Sequence, residues 1–420
     1  MSRTPLPRKD FLKTAVAAPH AVPWPAWMPR LAFAPEQTNP RGDVLVVVFL
    51  RGAADVLNMV VPHGEEAYYQ SRPTLSIPRP DDPRANSQMR VVDLDGFFGL
   101  HPAMQPLIEA WQSQTLAIVH ACGAPDESRS HFKAMELMER GVSNEQGPAS
   151  GWIGRHLSTY NTGNPSPLRA VGLGEIVPRS MYGSVPVTAL RSIIDFHLGG
   201  DDQAVAQLTA GLRSLYGGPD SLSVVGQETL DILDTLSLLD PERYRSTAGM
   251  AYPQSQFGFG LQQVAQLIKA QVGLEVATLD VGGWDTHFAQ GMLEGLMPNL
   301  MSDLAQGLAA FHADLHAQHK DMTVVVMSEF GRRVAENASL GTDHGHGSMM
   351  LLMGGNVEGG RVHGQWPGLA RGQLFGPGDL AVTTDYRDVL AEVISKRLNN
   401  PALPEIFPDY NATIQGLFKA

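Results

Sequence analysis

The chain predicts an α/β fold: a doubly wound, mainly parallel sheet with helices on both faces. Three observations carry this expectation. Asp43 to Leu50 (DVLVVVFL) and Thr323 to Met327 (TVVVM) are near-continuous apolar, β-branched runs of strand length, as expected of strands covered on both sides. Segments with helical spacing alternate with such runs along the chain, the order of a parallel sheet. The loops that follow the runs are rich in glycine, carboxylates and imidazoles, and open parallel sheets bind their ligands beyond the carboxyl ends of the strands.

The elements follow in order. After the first strand, the loop Arg51-Gly52-Ala53-Ala54-Asp55 is a tight turn. Pro102 to Gln112 reads as a helix and Leu116 to His120 as a second strand. Ser130 to Arg140 (SHFKAMELMER) has helical spacing, starts at a serine and is closed by Gly141. Leu168 to Val171 is a short strand. Asp201 to Leu215 and Ser223 to Leu239 read as helices and, with Tyr244 to Tyr252, form a small helical insertion, a cap within residues 183–260. Leu261 to Val272 is a helix, and Leu274 to Leu279 is a strand that runs into Asp280-Val281-Gly282-Gly283-Trp284-Asp285-Thr286-His287. Leu296 to His319 is a long amphipathic helix, Met349 to Met353 a further strand, and Tyr386 to Leu398 a late helix. Residues 43–420 read as a single domain without internal repeats.

Composition bounds the function. The chain has 420 residues, 43% of them apolar and 18% charged, enough for one large folded domain. A net charge of -12 argues against tracking along a nucleic-acid backbone. One cysteine, Cys122, permits no intrachain disulfide. Residues 1–34 resemble a twin-arginine export signal: Arg8-Lys9-Asp10-Phe11-Leu12-Lys13, a short apolar start, and Ala32-Phe33-Ala34 for signal peptidase. A proline-rich disordered arm is the other reading of that segment. Export would make the chain periplasmic, with the twin-arginine machinery as a partner; without it the chain would be cytoplasmic. No apolar run reaches the roughly 20 residues of a spanning helix.

The densest chemistry lies in Val324 to Gly347 (VVVMSEFGRRVAENASLGTDHGHG), where a buried strand ends at Glu329 and Asp343-His344-Gly345-His346 follows. Carboxylates and imidazoles are the usual ligands of zinc and similar ions. Asp285 and His287, two apart in an extended segment, face one side. Asp55 closes the first-strand loop. The metal candidates are therefore Asp55, Asp285, His287, Glu329, Asp343, His344 and His346, not all at once. Plainer roles stand beside each: a turn for Asp55, a helix cap for Asp285, an ion pair with Arg332 or Arg333 for Glu329. Ser130 at a helix start is either an N-cap or a hydroxyl placed for attack, and His131 is a ligand, a base or packing. Arg51 and Arg129 are candidates to clamp an oxyanion.

Four segments together, FLRGAADVLNMVVP (49–62), SRSHFKAMELMERG (128–141), LDVGGWDTH (279–287) and VVVMSEFGRRVAENASLGTDHGHG (324–347), resemble the bacterial family called domain of unknown function 1501, grouped with the alkaline phosphatase and sulfatase superfamily. The resemblance runs from about residue 43 to the end. It implies an alkaline phosphatase-like α/β sandwich that binds one or two metals and hydrolyses or transfers phosphate or sulfate esters. Residue by residue, Asp55 is similar to the first-strand metal carboxylate and Ser130 to the nucleophile. Asp285 and His287 resemble the Asp and His of the second half-site, at closer spacing than the usual Asp-x-x-x-His. Two alignments compete further on: either Ser328-Glu329-Phe330-Gly331 or Asp343-His344-Gly345 stands for Ser-Asp-His-Gly. In the first case His344 or His346 supplies the late histidine, and His363 is a further candidate for it.

The expected function is a metal-dependent hydrolase of phosphate or sulfate esters. Ser130 is the nucleophile, Arg51 or Arg129 holds the ester oxygens, and the substrate is a small anionic ester. Zinc suits the ligand mix, with calcium, magnesium or manganese as alternatives. The other class of function is an exported binding or assembly protein that keeps the fold without catalysis. A cofactorless mutase is a third.

Overall fold

The computed structural model describes residues 43–419 except 195, 238–243 and 248. The segment 1–34, with its export expectation, lies outside the described residues. The centre of the molecule is a nine-stranded sheet. Its strands are β1 (Val44–Leu50), β2 (Leu116–Gly123), β3 (Ala170–Leu173), β4 (Thr188–Leu190), β5 (Val276–Val281), β6 (Met322–Ser328), β7 (Ser348–Met353), β8 (Arg361–His363) and β9 (Thr384–Asp385). They lie in the order β8-β2-β7-β6-β1-β5-β3-β4, with β9 also on β2. Every pairing is parallel except those of β7, which runs against both β6 and β2. The sheet is thus mainly parallel, and the fold is mixed α/β.

The β1 run shows why the sheet is covered on both faces. Successive side chains of a strand point to opposite sides. Val44, Val46, Val48 and Leu50 enter one core with Leu261, Val264, Met301, Leu304 and Phe311. Those partners lie on α5 (Gln256–Lys269) and α6 (Leu296–Asp314). Leu45, Val47 and Phe49 enter the other core with Met138, Trp152, Ile153, Val389 and Val393. These come from α1 (His131–Arg140), α2 (Trp152–Thr159) and α7 (Tyr386–Lys396). The remaining long helices, α3 (Asp202–Leu215) and α4 (Ser221–Ser237), are pinned to each other by Arg213, which bonds Gln227, Asp231 and Asp234. Part of segment 183–260 joins the main sheet as β4.

Several boundaries differ from expectation for local reasons. The helix read over Pro102 to Gln112 is a 3-10 helix over Pro102–Leu107 and α-helical only at Ile108–Gln112. Pro106 lacks the N–H that an α-turn needs. The helix expected from Leu261 starts earlier, because the Ser255 side chain accepts from the Gly258 N–H (2.9 Å) and caps it. β2 runs past His120 to Gly123, through Ala121 at φ 52° and a register shift opposite Ser348 and Met349. Among the described residues no helix is long and apolar enough to cross a membrane.

Candidate metal centre

The carboxyl ends of β1, β2, β5 and β6 share one edge of the sheet, and their following loops meet there. The β1 loop approaches the β5 loop so closely that a Cβ on Gly52 (φ +117°) would stand 2.6 Å from the Asp285 backbone nitrogen. Only glycine permits that contact and that backbone angle. The segment after β6 turns back on itself: Arg332 bridges His344, and a Cβ on Gly345 would stand 2.4 Å from the Arg332 carbonyl carbon.

These close approaches bring together His131, Asp285, His287 and His344. The Nε2 atoms of His131 and His344 are 2.9 Å apart, and those of His287 and His344 are 2.8 Å apart. Asp285 Oδ1 lies 3.2 Å from His344 Nε2 and 3.1 Å from His287 Nε2, and Oδ2 lies 3.4 Å from His131 Nε2. His131, Asp285 and His344 form a group with donor atoms within 4.8 Å of one another.

The other ring nitrogen of each histidine has a partner that can only accept. His131 Nδ1 donates to Glu329 Oε1 (2.8 Å), His287 Nδ1 to Asp343 Oδ1 (3.1 Å) and His344 Nδ1 to the Arg129 carbonyl (3.0 Å). The protons of the neutral rings are thereby assigned to Nδ1, which leaves bare lone pairs on all three Nε2 atoms. Three lone pairs and a carboxylate facing one another repel. A bound cation turns that repulsion into attraction, and histidine ligands with Nδ1 held by carboxylates or carbonyls are the usual form of such a site. The donor set therefore fits a divalent metal. It is an imidazole-rich set, which suits zinc.

The charge states agree. Burial alone would raise the Asp285 pKa, but the bond from Arg332, aided by His344, outweighs it and holds the carboxyl at about 2. Burial likewise opposes ionisation of Glu329, and the His131 bond overcomes it to keep that pKa low. Asp343 is held low by Asn337 and by His287. The Glu329 bond raises the pKa of His131, while burial lowers that of His344.

Arg332 holds the loops in place. Its side chain is fully buried. It donates to the carbonyls of Ala53 (2.6 Å), Gly52 (2.6 Å), Trp284 (3.0 Å) and Thr342 (2.9 Å) and to Asp285 Oδ1 (2.6 Å). One guanidinium thus ties the loops after β1, β5 and β6. Asn337 does a smaller version of the same, donating to the His287 carbonyl and to Asp343. Phe330 stacks on His131 at 5.1 Å and supplies an apolar wall beside the imidazoles.

The structure places the other candidates differently. Asp55 is not brought to the histidines: it is wholly buried, takes two bonds from Arg72 (2.6 and 3.0 Å) and one from Gln290 (2.6 Å), and so serves as half of an ion pair. Glu329 and Asp343 stand one hydrogen bond behind the imidazoles. His346 packs against Phe375 at 4.7 Å, and His363 bonds the Glu358 carbonyl; neither has a bond to the cluster. Arg51 is committed to Glu139 (3.1 Å) and Asp280 (2.8 Å). Arg129 pairs with Asp379 and remains 37% exposed. Ser130 immediately precedes His131 at the start of α1 and is exposed, and its side chain caps no amide. The place of His131 in the cluster was open in the sequence, and Arg332 was visible there only as one of two ion-pair partners for Glu329, not as the tie between loops. Leaving Asp55 buried without its partner, in Arg72→Met, is expected to cost about 3–5 kcal/mol of stability by denaturant unfolding.

The family described as a protein of unknown function (DUF1501) matches residues 43–398. No curated protein matches the chain. Among solved structures, the PsFucS1 sulfatase from Pseudoalteromonas sp. is similar at 8% identity and a TM-score of 0.37, covering 90% of this chain and 74% of its own. Ps i-CgsB is similar at 9% identity and a TM-score of 0.28, covering 82% and 68%.

Proposed function

Because the chain belongs to the DUF1501 family, whose description assigns no activity, we propose its function from the site: a metal-dependent hydrolase of phosphate or sulfate esters. The observation that carries this reading is the convergence of three imidazole Nε2 atoms and the Asp285 carboxylate, with an exposed serine next in sequence to His131 at a helix start. His131, His287, His344 and Asp285 would hold one divalent cation, zinc by preference. Such a cation supplies positive charge that polarises an ester and lowers the pKa of a nearby hydroxyl.

The chain's own groups do the rest. Ser130 would supply the oxygen that attacks phosphorus or sulfur, at a helix N-terminus where amides without intrahelical acceptors favour negative charge. The ester's P–O or S–O bond would break as the alcohol leaves with the hydroxyl's proton. Water would then cleave the seryl ester, freeing the anion and restoring the hydroxyl. Arg129, adjacent and half-exposed, would hold the non-bridging oxygens. Arg51 is engaged elsewhere and takes no part. Asp285, strongly acidic, stays ionised across the neutral range. Glu329 and Asp343 would orient the His131 and His287 rings. With Asp55 paired to Arg72, the reading is of a single metal and not a pair.

Metal analysis of the purified protein, with phosphatase and sulfatase screens on wild type and Ser130→Ala, tests the proposal. Expected are about one zinc-class ion per chain and a loss of turnover on the order of 10³-fold or more in the variant. Unchanged turnover would remove Ser130 as nucleophile. Metal retained without any turnover would favour the non-catalytic binding role. Glu329→Gln weakens the acceptor behind His131, and titration calorimetry should show metal affinity reduced about 10–100-fold.

A further inference from the structure

Large apolar side chains stand unburied on the segments that carry the candidate metal centre. Phe132, directly after His131, is 85% exposed, and Phe288, directly after His287, is 75% exposed. His131 and His287 each place Nε2 within 2.9 Å of His344 Nε2, so Phe132 and Phe288 are carried on the two backbone segments that supply those imidazoles. Leu340, 54% exposed, lies on the segment that pairs with the His287 loop. There the Ala289 N–H donates to the Ser339 carbonyl and the Gln290 N–H to the Leu340 carbonyl, both at 2.9 Å.

This rim is held, not loose. Thr342 N–H bonds the Thr286 carbonyl, and Asn337 bonds the His287 carbonyl. Ala289 and Leu340 adopt φ of 44° and 57°, a region that side chains other than glycine rarely enter. Such backbone is retained where its surroundings over-determine it, and it clusters at ligand sites. Two phenylalanines left in water forgo the favourable transfer of their rings from solvent. Beside a polar, cation-fitting centre, they offer a ligand with one charged end an apolar surface for its other end.

We propose that the ester taken by this site carries an apolar body, aryl or bulky alkyl, which lies against Phe132, Phe288 and Leu340 while its anionic end meets the cation. This rests on the metal-hydrolase reading above. The substrate class is then an amphiphilic phosphate or sulfate monoester, in preference to a small fully polar one.

Titration calorimetry on the zinc-loaded full-length protein tests it, with phenylphosphonate against methylphosphonate and benzenesulfonate against methanesulfonate. Burying one face of a ring predicts that the phenyl member of at least one pair binds about tenfold tighter than its methyl partner. In the double variant Phe132→Ala/Phe288→Ala that preference should fall to near unity, with zinc affinity and methyl-ligand affinity unchanged. Whichever pair binds distinguishes a phosphate from a sulfate head. Equal affinity for phenyl and methyl ligands in the native protein, or a preference that survives in the variant, overturns the inference and leaves the hydrolase reading standing. Zinc held with no anion bound, or no zinc held, overturns the hydrolase reading and this inference together.

Discussion

His344→Ala is expected to abolish tight metal binding. His344 is the one imidazole within 2.9 Å of both other imidazole nitrogens, and its Nδ1 is tied to the Arg129 carbonyl, next to Ser130. Removing it takes out the shared neighbour of every other donor, so the loss should exceed the about 10–100-fold that a change behind a ligand costs. The effect is readable without any substrate. A ligand that binds only the folded state stabilises it by about 4.1 kcal/mol at 1,000 times its Kd. Wild type should therefore melt several degrees higher with zinc than with chelator, and the variant should melt at the same temperature in both. A zinc-dependent shift of wild-type size in His344→Ala would refute the site as drawn.

Arg332→Met is expected to damage both stability and metal affinity. The substitution keeps an apolar stem of similar reach, so packing loss is small. It leaves the carbonyls of Gly52, Ala53, Trp284 and Thr342 without this donor in a buried setting, and frees Asp285 from its strongest partner. Each buried acceptor left unpaired costs about 1–3 kcal/mol, less than additively. A total of about 3–5 kcal/mol is expected by denaturant unfolding, carried by the unpaired carbonyls, since Asp285 is itself 46% exposed. Arg332→Lys should recover part of the stability but little of the metal affinity, because an ammonium cannot reach several loops at once as the planar fork does. A variant that unfolds like wild type and binds metal normally would show that the loops hold themselves.

What the sequence conveyed and what it hid follow from the range of the interactions. The runs over Asp43 to Leu50 and Thr323 to Met327 announce buried strands because apolar periodicity is local, and both lie in the sheet. The helix after Ser130 was legible for the same reason. The loops bearing His131, Asp285, His287 and His344 were legible as ligand-rich ends, since strand order alone sends them to one edge. Partner identity was not legible. Asp55 reads as a metal carboxylate until Arg72, 17 residues away, is seen to occupy it. Arg51 reads as an oxyanion clamp until Glu139 and Asp280 are seen to claim it. Of the residues in the two competing alignments after β6, Glu329 bonds His131 from behind, while His344 Nε2 meets the Nε2 atoms of the other two imidazoles. Spacing could not separate those depths, because they depend on how the segment folds back over Gly331 and Gly345.

The reversed direction of β7 has a further consequence. β6 delivers the chain to the ligand edge at Ser328, and β7 departs from that same edge at Ser348. The intervening segment is therefore a hairpin excursion rather than a crossover, and both its feet are fastened, at Arg332 opposite His344 and at Gly331 N–H on the His346 carbonyl. Between those feet the excursion exposes Ala338, Ser339 and Leu340, while Asn337 turns back to the His287 carbonyl and Asp343. The side chains at 338–340 can be exchanged while Asn337 and the imidazole at the base keep their places, which makes them the natural part of this scaffold for changing what reaches the centre without rebuilding the centre.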